Sequence, residues 1–365
     1  MTYPAGYLDA ASAEPLHPSA RDVLAAAVAR GYADPRRLHG PGRDARLLLD
    51  NAREVVASCL GVRREEVAFT PSGTAAVQAG VLGLARGAGV VTSAVEHQAV
   101  AEAAAWNAAA VTEAPVDAAG RVRPEEVARL AVGSGLVAVQ HANHEVGTVQ
   151  PIAEVAARTP VPLFVDACAS MGRLPLPDGW TAVAGSARKW GGPGGVGVLV
   201  VRKGAPWTWP FPGDGHGTAE QGFTDVPGAL AAAAALQAVV AEREEVGARQ
   251  RALVDLVRAR VVEIPDVDLV GDPVDRLPHL VTFSCLYVDG EALVTELDRR
   301  GFGIASGSAC AADTREPSRV LAAMGALTHG NVRLSLTRDA TRDDVERFLA
   351  VLPGVVADLR AEVAL

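Results

Sequence analysis

Residues 182–201 run AVAGSARKWGGPGGVGVLVV. An apolar stretch that suits a buried strand stops at Ser186, the short step Ala187-Arg188-Lys189 follows, and a glycine-rich turn leads back into a second apolar stretch. Lysine occurs at only two places in the 365 residues, Lys189 and Lys203, so any lysine chemistry has two candidates. A lysine among small residues at a strand end suits an amine that must shed its proton and form an imine with a carbonyl compound. Ser186 and Arg188 beside it are both able to ligate a phosphate. Lys203, directly after the second stretch, reads instead as a solvated strand end.

Working outward, residues from about Pro18 to Val201 alternate amphipathic helical stretches with short apolar runs. Among these runs are GVVTSAV (89–95), GLVAVQHA (135–142), PLFVDA (162–167) and VGVLVVRK (196–203). That alternation implies a mainly parallel sheet with helices on both faces, in which ligands gather at the carboxyl ends of the strands. Residues from about 226 to 262 form an Ala- and Arg-rich stretch, read as one or two helices bridging to a smaller C-terminal α/β part. That part holds LVTFSCLYV (280–288), a helix from Glu291 to Arg300, the loop GFGIASGSACAADTRE (301–316) and a strand NVRLSL (331–336). A final helix opens with Thr341 as N-cap and acids in its first turn. The expected division is a large domain over 16–245 and a small one formed by 1–15 with 246–365.

Composition narrows the function classes. The formal charge is −9 and no block of basic residues could follow a phosphate backbone, so nucleic acid is not an expected partner. The N-terminus lacks a basic start followed by an apolar run. The most apolar stretch, Val226 to Ala241, is short and carries Pro227 and Gln237, so the expectation is no membrane segment and a cytoplasmic protein. Four widely spaced cysteines, Cys59, Cys168, Cys285 and Cys310, form no CxxC pair, which argues against a zinc site or a disulfide framework.

Several residues sit where chemistry is expected. In VAFTPSGTAAVQAGVLGLA (67–85) a strand, a Ser-Gly-Thr turn and a helix present the N–H groups of Gly73 and Thr74 as an anion site, although a simple N-cap explains the same pattern. Asp166 ends a buried strand, where a carboxylate needs a positive partner such as a protonated pyridine nitrogen; the alternative is a cap of the next element. Strand alternation puts Cys168 on the same side as Asp166, beneath any ring that Asp166 holds. His97 in TSAVEHQAV follows a strand and opens a helix, suiting a side chain that reaches over a ring or moves a proton, or one that is only structural. HANHEVGTVQP (141–151) supplies Asn143 and His144, and an amide here can bond a phenolic oxygen or a carboxylate. The small-residue loop SGSACAA (306–312) makes Cys310 a reachable thiol or, alternatively, a packed inert one. Arg333 alternates with apolar neighbours on its strand and is able to grip a carboxylate, or to pair at the surface.

With these motifs in order, the chain resembles the cysteine desulfurases of the NifS/IscS type within the class V aminotransferases, from YLDAASAEP (7–15) to VRLSLTRDATRDDVERFL (332–349). FTPSGT, SAVEHQAV, HANHEVGTVQP, VDACAS, GSARKWGGPGGVG, SGSAC and VRLSL follow one another as in that family. The resemblance implies a homodimeric fold-type-I enzyme dependent on pyridoxal 5'-phosphate. Lys189 would be its Schiff-base lysine, Asp166 the partner of the pyridine nitrogen, and Thr74 and Ser186 phosphate ligands. It also implies His97 stacked on the ring, Asn143 near the phenolic oxygen and the substrate, Arg333 on the substrate carboxylate, and Cys310 as acceptor of sulfur from L-cysteine. A persulfide on Cys310 would pass to an acceptor protein. Alternatives are a related class V enzyme acting on another amino acid, or a non-catalytic scaffold. Three positions depart from the family pattern. Ala169 stands where glutamine is usual and Arg188 where histidine is usual. EQGFTDVP (220–227) replaces an Arg-Ser-Gly-Thr segment, with Thr224 the nearest candidate for its threonine.

Overall fold

The computed structural model describes residues 6–107, 110–212, 223–306 and 317–363. Helices α1 (Pro18–Arg30) and α2 (Gly40–Leu60) lead into a seven-stranded sheet. Its strands are β1 (Val67–Thr70), β2 (Val90–Ser93), β3 (Val111–Ala114), β4 (Leu136–Gln140), β5 (Leu163–Asp166), β6 (Ala182–Ser186) and β7 (Gly197–Val201). They lie in the order β1-β7-β6-β5-β4-β2-β3. Neighbours from β3 through β2, β4 and β5 to β6 are parallel, and β7 runs antiparallel to both β6 and β1. The sheet is therefore mainly parallel, and the 182–201 segment is the hairpin that introduces its one reversed strand.

Strand periodicity builds two cores, one on each face. Val137, Val139, Leu163, Val165, Val183, Val198 and Val200 face one way and pack with residues of α2 and of α7 (Val226–Val261). Leu136, Ala138, Phe164, Ala182, Ala184 and Leu199 face the other way, against α3 (Gly73–Ala85) and α4 (Gln98–Trp106). Close approach on the second face depends on a missing side chain, because a Cβ on Gly80 would fall 2.2 Å from the Phe164 ring. Shorter helices α5 (Pro124–Leu130) and α6 (Ile152–Arg158) pack against each other, with α5 beside β3.

The stretch read as one or two helices is a single helix, α7, of 36 residues. Asp225 caps it by accepting from the Gly228 N–H at 2.9 Å, and Pro227 sits in the first turn, where a missing N–H costs nothing. Ala229 to Leu236 pack into the first core, whereas Leu253, Val254, Val257 and Val261 pack into a second one. That second core lies on an antiparallel sheet of order β10-β9-β8, built from β8 (Val267–Val270), β9 (Leu280–Cys285) and β10 (Asn331–Ser335). Helices α8 (Gly290–Arg299), α9 (Arg319–Met324) and α10 (Arg342–Val363) accompany it, and Leu8 from the N-terminal segment joins its core. The cap expected at Thr341 is reciprocal: the Asp344 N–H donates to Thr341 Oγ1, and the Thr341 N–H donates to the Asp344 carboxylate. Among the described residues no helix is long and apolar enough to cross a membrane.

Candidate active site

The carboxyl ends of β1, β2, β4, β5 and β6 open onto one cleft of about 670 Å³, part of it open to solvent. From β1 and the start of α3 come Ser72, Gly73 and Thr74; from the β2 end, His97; from β5, Asp166, Cys168 and Ala169; from β6, Ser186, Arg188 and Lys189. Eight residues selected from the sequence thus share a single wall-to-wall space: Gly73, Thr74, His97, Asp166, Cys168, Ser186, Arg188 and Lys189. Lys203, by contrast, is an exposed side chain whose Nζ lies 3.8 Å from Glu65.

Lys189 ends a single 3-10 turn, Ala187–Lys189. The turn is pinned on both sides: the Ala187 N–H donates to Val196 O at 3.0 Å, and buried Trp190 donates its indole N–H to Ala232 O at 3.1 Å. Solvent reaches part of the lysine through the cleft, but its amine is closely surrounded. Burial depresses its proton affinity and the nearby Arg188 and Arg333 charges add to that, while the Asp166 carboxylate opposes it. The net shift is downward, toward the neutral nucleophilic amine.

Asp166 is buried, and its Oδ1 accepts the Cys168 N–H at 2.9 Å, which fixes the carboxylate at the strand end. Burial first, and then the Asp166 charge, hold the Cys168 thiol far above its ordinary range, so it stays protonated and inert. His97 caps α4 by accepting the Ala99 N–H on Nδ1 at 3.0 Å. Burial and the neighbouring His144 drive its pKa down to about 4, leaving a neutral ring at the cleft. Behind it, burial pushes Glu96 up to about 8, although Ser93 Oγ and the Gln140 N–H both donate to its Oε1.

At the other end of the cleft, Ser72 Oγ accepts the Ala75 N–H at 3.0 Å. The N–H groups of Gly73 and Thr74 are left at a helix N-terminus, the arrangement that favours a phosphate. A Cβ on Gly73 would lie 2.6 Å from Ser186 Cβ and 3.1 Å from Cys168 Sγ, so this helix end is pressed directly onto the β5 and β6 ends. Arg188 is exposed at the rim and donates to the Ser12 carbonyl.

Two sequence candidates do not line the cleft. The amide of Asn143 is fully buried in its own turn: Oδ1 accepts the N–H groups of Glu145 and Val146, both at 2.8 Å, and Nδ2 donates to Val95 O at 3.1 Å. Asn143 is therefore placed behind the cleft lining, where His144 stands on the wall. The signal was present in the sequence, because Gln140, Ala142 and His144 all line the cleft at the period of two that β4 sets. Arg333 is buried next to the cleft: its Nη2 donates to Asp9 at 2.9 Å and Ser12 Oγ at 2.7 Å, and its Nη1 to the His144 carbonyl at 3.1 Å. Cys310 lies outside the described residues. The sequence reading also missed Glu14 and Arg173, an ion pair at 2.6 Å whose Arg173 also donates to the Lys189 carbonyl at 3.2 Å.

The profile of the class V aminotransferases matches residues 6–348. An IscS-like cysteine desulfurase of Mycobacterium tuberculosis is 39% identical over 97% of each chain, and the cysteine desulfurase IscS of Dictyoglomus turgidum is 32% identical over 97% of this chain and 95% of its own. A solved NifS-like protein superposes with a TM-score of 0.89 at 26% identity, covering 97% of this chain and all of its own. The chain belongs to the class V aminotransferase family and, within it, to the IscS-like cysteine desulfurases.

The cofactor of this family is pyridoxal 5'-phosphate, and the cleft fits it on three independent counts. A helix N-terminus with Ser186 and Arg188 beside it suits the phosphate, a fixed carboxylate suits the ring nitrogen, and a buried amine of lowered proton affinity suits the aldehyde.

Proposed function

We propose that this chain converts L-cysteine to L-alanine and receives the sulfur on Cys310 as a persulfide. The observation that carries the reading is the position of Lys189: its amine shares one cleft with Asp166 and with the Ser72-Gly73-Thr74 helix end, in a chain aligned nearly end to end with cysteine desulfurases. When bound, pyridoxal phosphate supplies an electron-accepting ring that stabilises negative charge at the substrate's Cα.

The protein's residues divide the remaining work. Gly73, Thr74, Ser186 and Arg188 would hold the phosphate, Asp166 would pair with the ring nitrogen, and neutral His97 and Cys168 would line the space the ring takes. Lys189 Nζ would hold the cofactor aldehyde covalently and, as a free amine of lowered proton affinity, would serve as the base for the substrate's Cα proton. Arg333 draws in the substrate carboxylate. The thiolate of Cys310 attacks the substrate Sγ, so that an S–S bond forms as Cβ–Sγ breaks. The electron pair stays on the carbon skeleton, which gains a proton and leaves as alanine. The persulfide passes to an acceptor protein, the enzyme works as a homodimer in the cytoplasm, and the domains divide at 16–245 and at 1–15 with 246–365.

Incubation with L-cysteine, with alanine and sulfide quantified and Cys310 weighed by mass spectrometry, tests this reading. One added sulfur on Cys310, and loss of turnover in Cys310→Ala, are the expected results. Undiminished turnover in that variant removes Cys310 from the reaction.

A further inference from the structure

His144 stands on the cleft wall with a proton site that the roles assigned above do not use. Its Nε2 lies 3.6 Å from Glu145 Oε1, while Glu145 Oε2 is held on its far side by the Ser318 hydroxyl at 2.6 Å. The carboxylate is thus clamped in place and presents an oxygen to one edge of the imidazole. At 3.6 Å this is an ion-pair rather than a hydrogen-bond distance, and it places the carboxylate beside Nε2, so that Nδ1 is the ring nitrogen turned away from it. That other atom, Nδ1, is buried and has no hydrogen-bond partner among the described residues, a state that buried polar atoms adopt only where a ligand, a water or a function accounts for it. His144 lines both the main cleft and a narrow adjoining seam too tight for a water molecule, each of which it shares with Lys189 and Ala169. Ala169 brings no polar atom to either space.

We infer that His144, oriented by Glu145, is a second proton-exchanging residue of the cleft, whose Nδ1 takes the proton from the substrate's ammonium group before the substrate amine replaces Lys189. The inference rests on Lys189 holding the cofactor. An amino acid arrives as an ammonium ion at neutral pH, and only its free amine has a lone pair with which to attack. The proton moves from substrate nitrogen to His144 Nδ1, the Glu145 carboxylate meets the new positive charge, and the proton returns when alanine departs as an ammonium ion. His97, whose ring stands edge-on to that of His144 with centroids 4.9 Å apart, is the competing candidate. Its Nδ1 already accepts a backbone N–H, and burial together with His144 keeps it neutral down to about pH 4.

The other charges around His144 come from several elements. Asp166 follows from β5 and Lys189 and Arg188 from the turn after β6, while Arg333 on β10 donates to the His144 carbonyl. Arg173 and His279 line the narrow seam with it.

The test compares holoenzyme of wild type and His144→Gln, with borohydride fixation first showing that Lys189 carries the cofactor. L-alanine, which binds without a sulfur to lose, is added in weakly buffered solution near neutral pH while proton release and cofactor absorbance are recorded. In the wild type the proton stays on the protein and little is released; in the variant, release rises toward about one proton per alanine bound. In turnover with L-cysteine, kcat/KM of the variant falls by about tenfold or more at neutral pH and recovers by about tenfold per unit of rising pH, as solvent takes over the deprotonation. His144→Asn, a smaller amide, serves as the second variant if His144→Gln does not retain cofactor. Equal proton release and parallel pH profiles in wild type and variant overturn the assignment. Absence of an alanine-dependent absorbance change in the wild type itself marks failure of the Lys189 reading instead.

Discussion

Gly197 and Ser72 approach so closely that a Cβ on the glycine would fall 2.1 Å from the Ser72 carbonyl oxygen. Gly197 opens β7, pairs with Thr70 of β1, and so presses the reversed strand against the turn that precedes α3. The obstructing atom is backbone and cannot rotate away, so Gly197→Ala has to displace Ser72, Gly73 and Thr74 together. We expect a stability loss of about 1–3 kcal/mol, typical of overpacking. Cofactor affinity should also fall by at least about tenfold, the equivalent of one misplaced charge-assisted hydrogen bond. Urea midpoints and equilibrium dialysis of the phosphate ester read the two effects separately. An unchanged dialysis constant would show that the helix end is not a phosphate site.

Asp166 offers a cleaner separation of binding from chemistry. Its Oδ1 is already tied to the Cys168 N–H, which an asparagine oxygen would also accept, so Asp166→Asn keeps the local geometry and removes only the charge. Without that charge the ring nitrogen loses its reason to stay protonated. kcat is expected to drop by about 10²–10³-fold, the usual cost of removing a fixed electrostatic partner. Borohydride should still fix cofactor onto Lys189. A variant with wild-type kcat would break the link between Asp166 and the ring.

Most of the sheet was readable because β2, β4, β5, β6 and β7 are apolar and end in abrupt polar or glycine steps. β3 was not readable: it is an edge strand, Val-Thr-Glu-Ala, of which only Ala114 is buried, so burial left little hydrophobic signature. Most of the site was readable for a related reason, since functional side chains follow strand ends in chain order. Asn143 falls behind the cleft lining because the sheet's alternation carries on past the last residue of β4, so that Ala142 and His144 face the cleft on either side of it. Glu14 and Arg173 were invisible because they are 159 positions apart and each, alone, looks like an ordinary surface charge.

That pair supplies the next expectation. Both side chains are almost wholly buried, at 5% and 8% exposure, and Glu14 Oε1 also accepts the Arg338 N–H at 2.8 Å. Glu14→Ala leaves the Arg173 guanidinium buried without its counter-charge, a change that costs about 3–5 kcal/mol. The Arg342–Glu346 pair has a similar distance, 2.6 Å, but exposures of 72% and 53%. Glu346→Ala should therefore cost no more than about 0.5 kcal/mol, because solvent screens the pair. Chemical denaturation of both variants checks whether burial, rather than distance, sets the cost; equal losses would refute that.

Glu96 is expected to leave a pH signature in the stability of the cofactor-free protein. Its folded pKa of about 8 lies above the ordinary carboxylate value of 4.5, so between these limits the folded state binds more protons than the unfolded one. Stability therefore falls as pH rises from about 4.5 to 8 on account of this group. His97 and His141 act in the opposite sense: burial lowers each from 6.5 to about 4, so the unfolded state binds more protons and stability rises with pH up to about 6.5. Above about pH 6.5 the two histidine contributions have levelled off, and among these three groups the contribution that still falls belongs to Glu96. Glu96→Gln keeps an oxygen for Ser93 and for the Gln140 N–H but does not titrate. Thermal or urea unfolding across this range should show the descending limb flattened in the variant while the ascending limb persists. A limb of unchanged slope would mean that the Glu96 carboxyl ionises normally despite its burial.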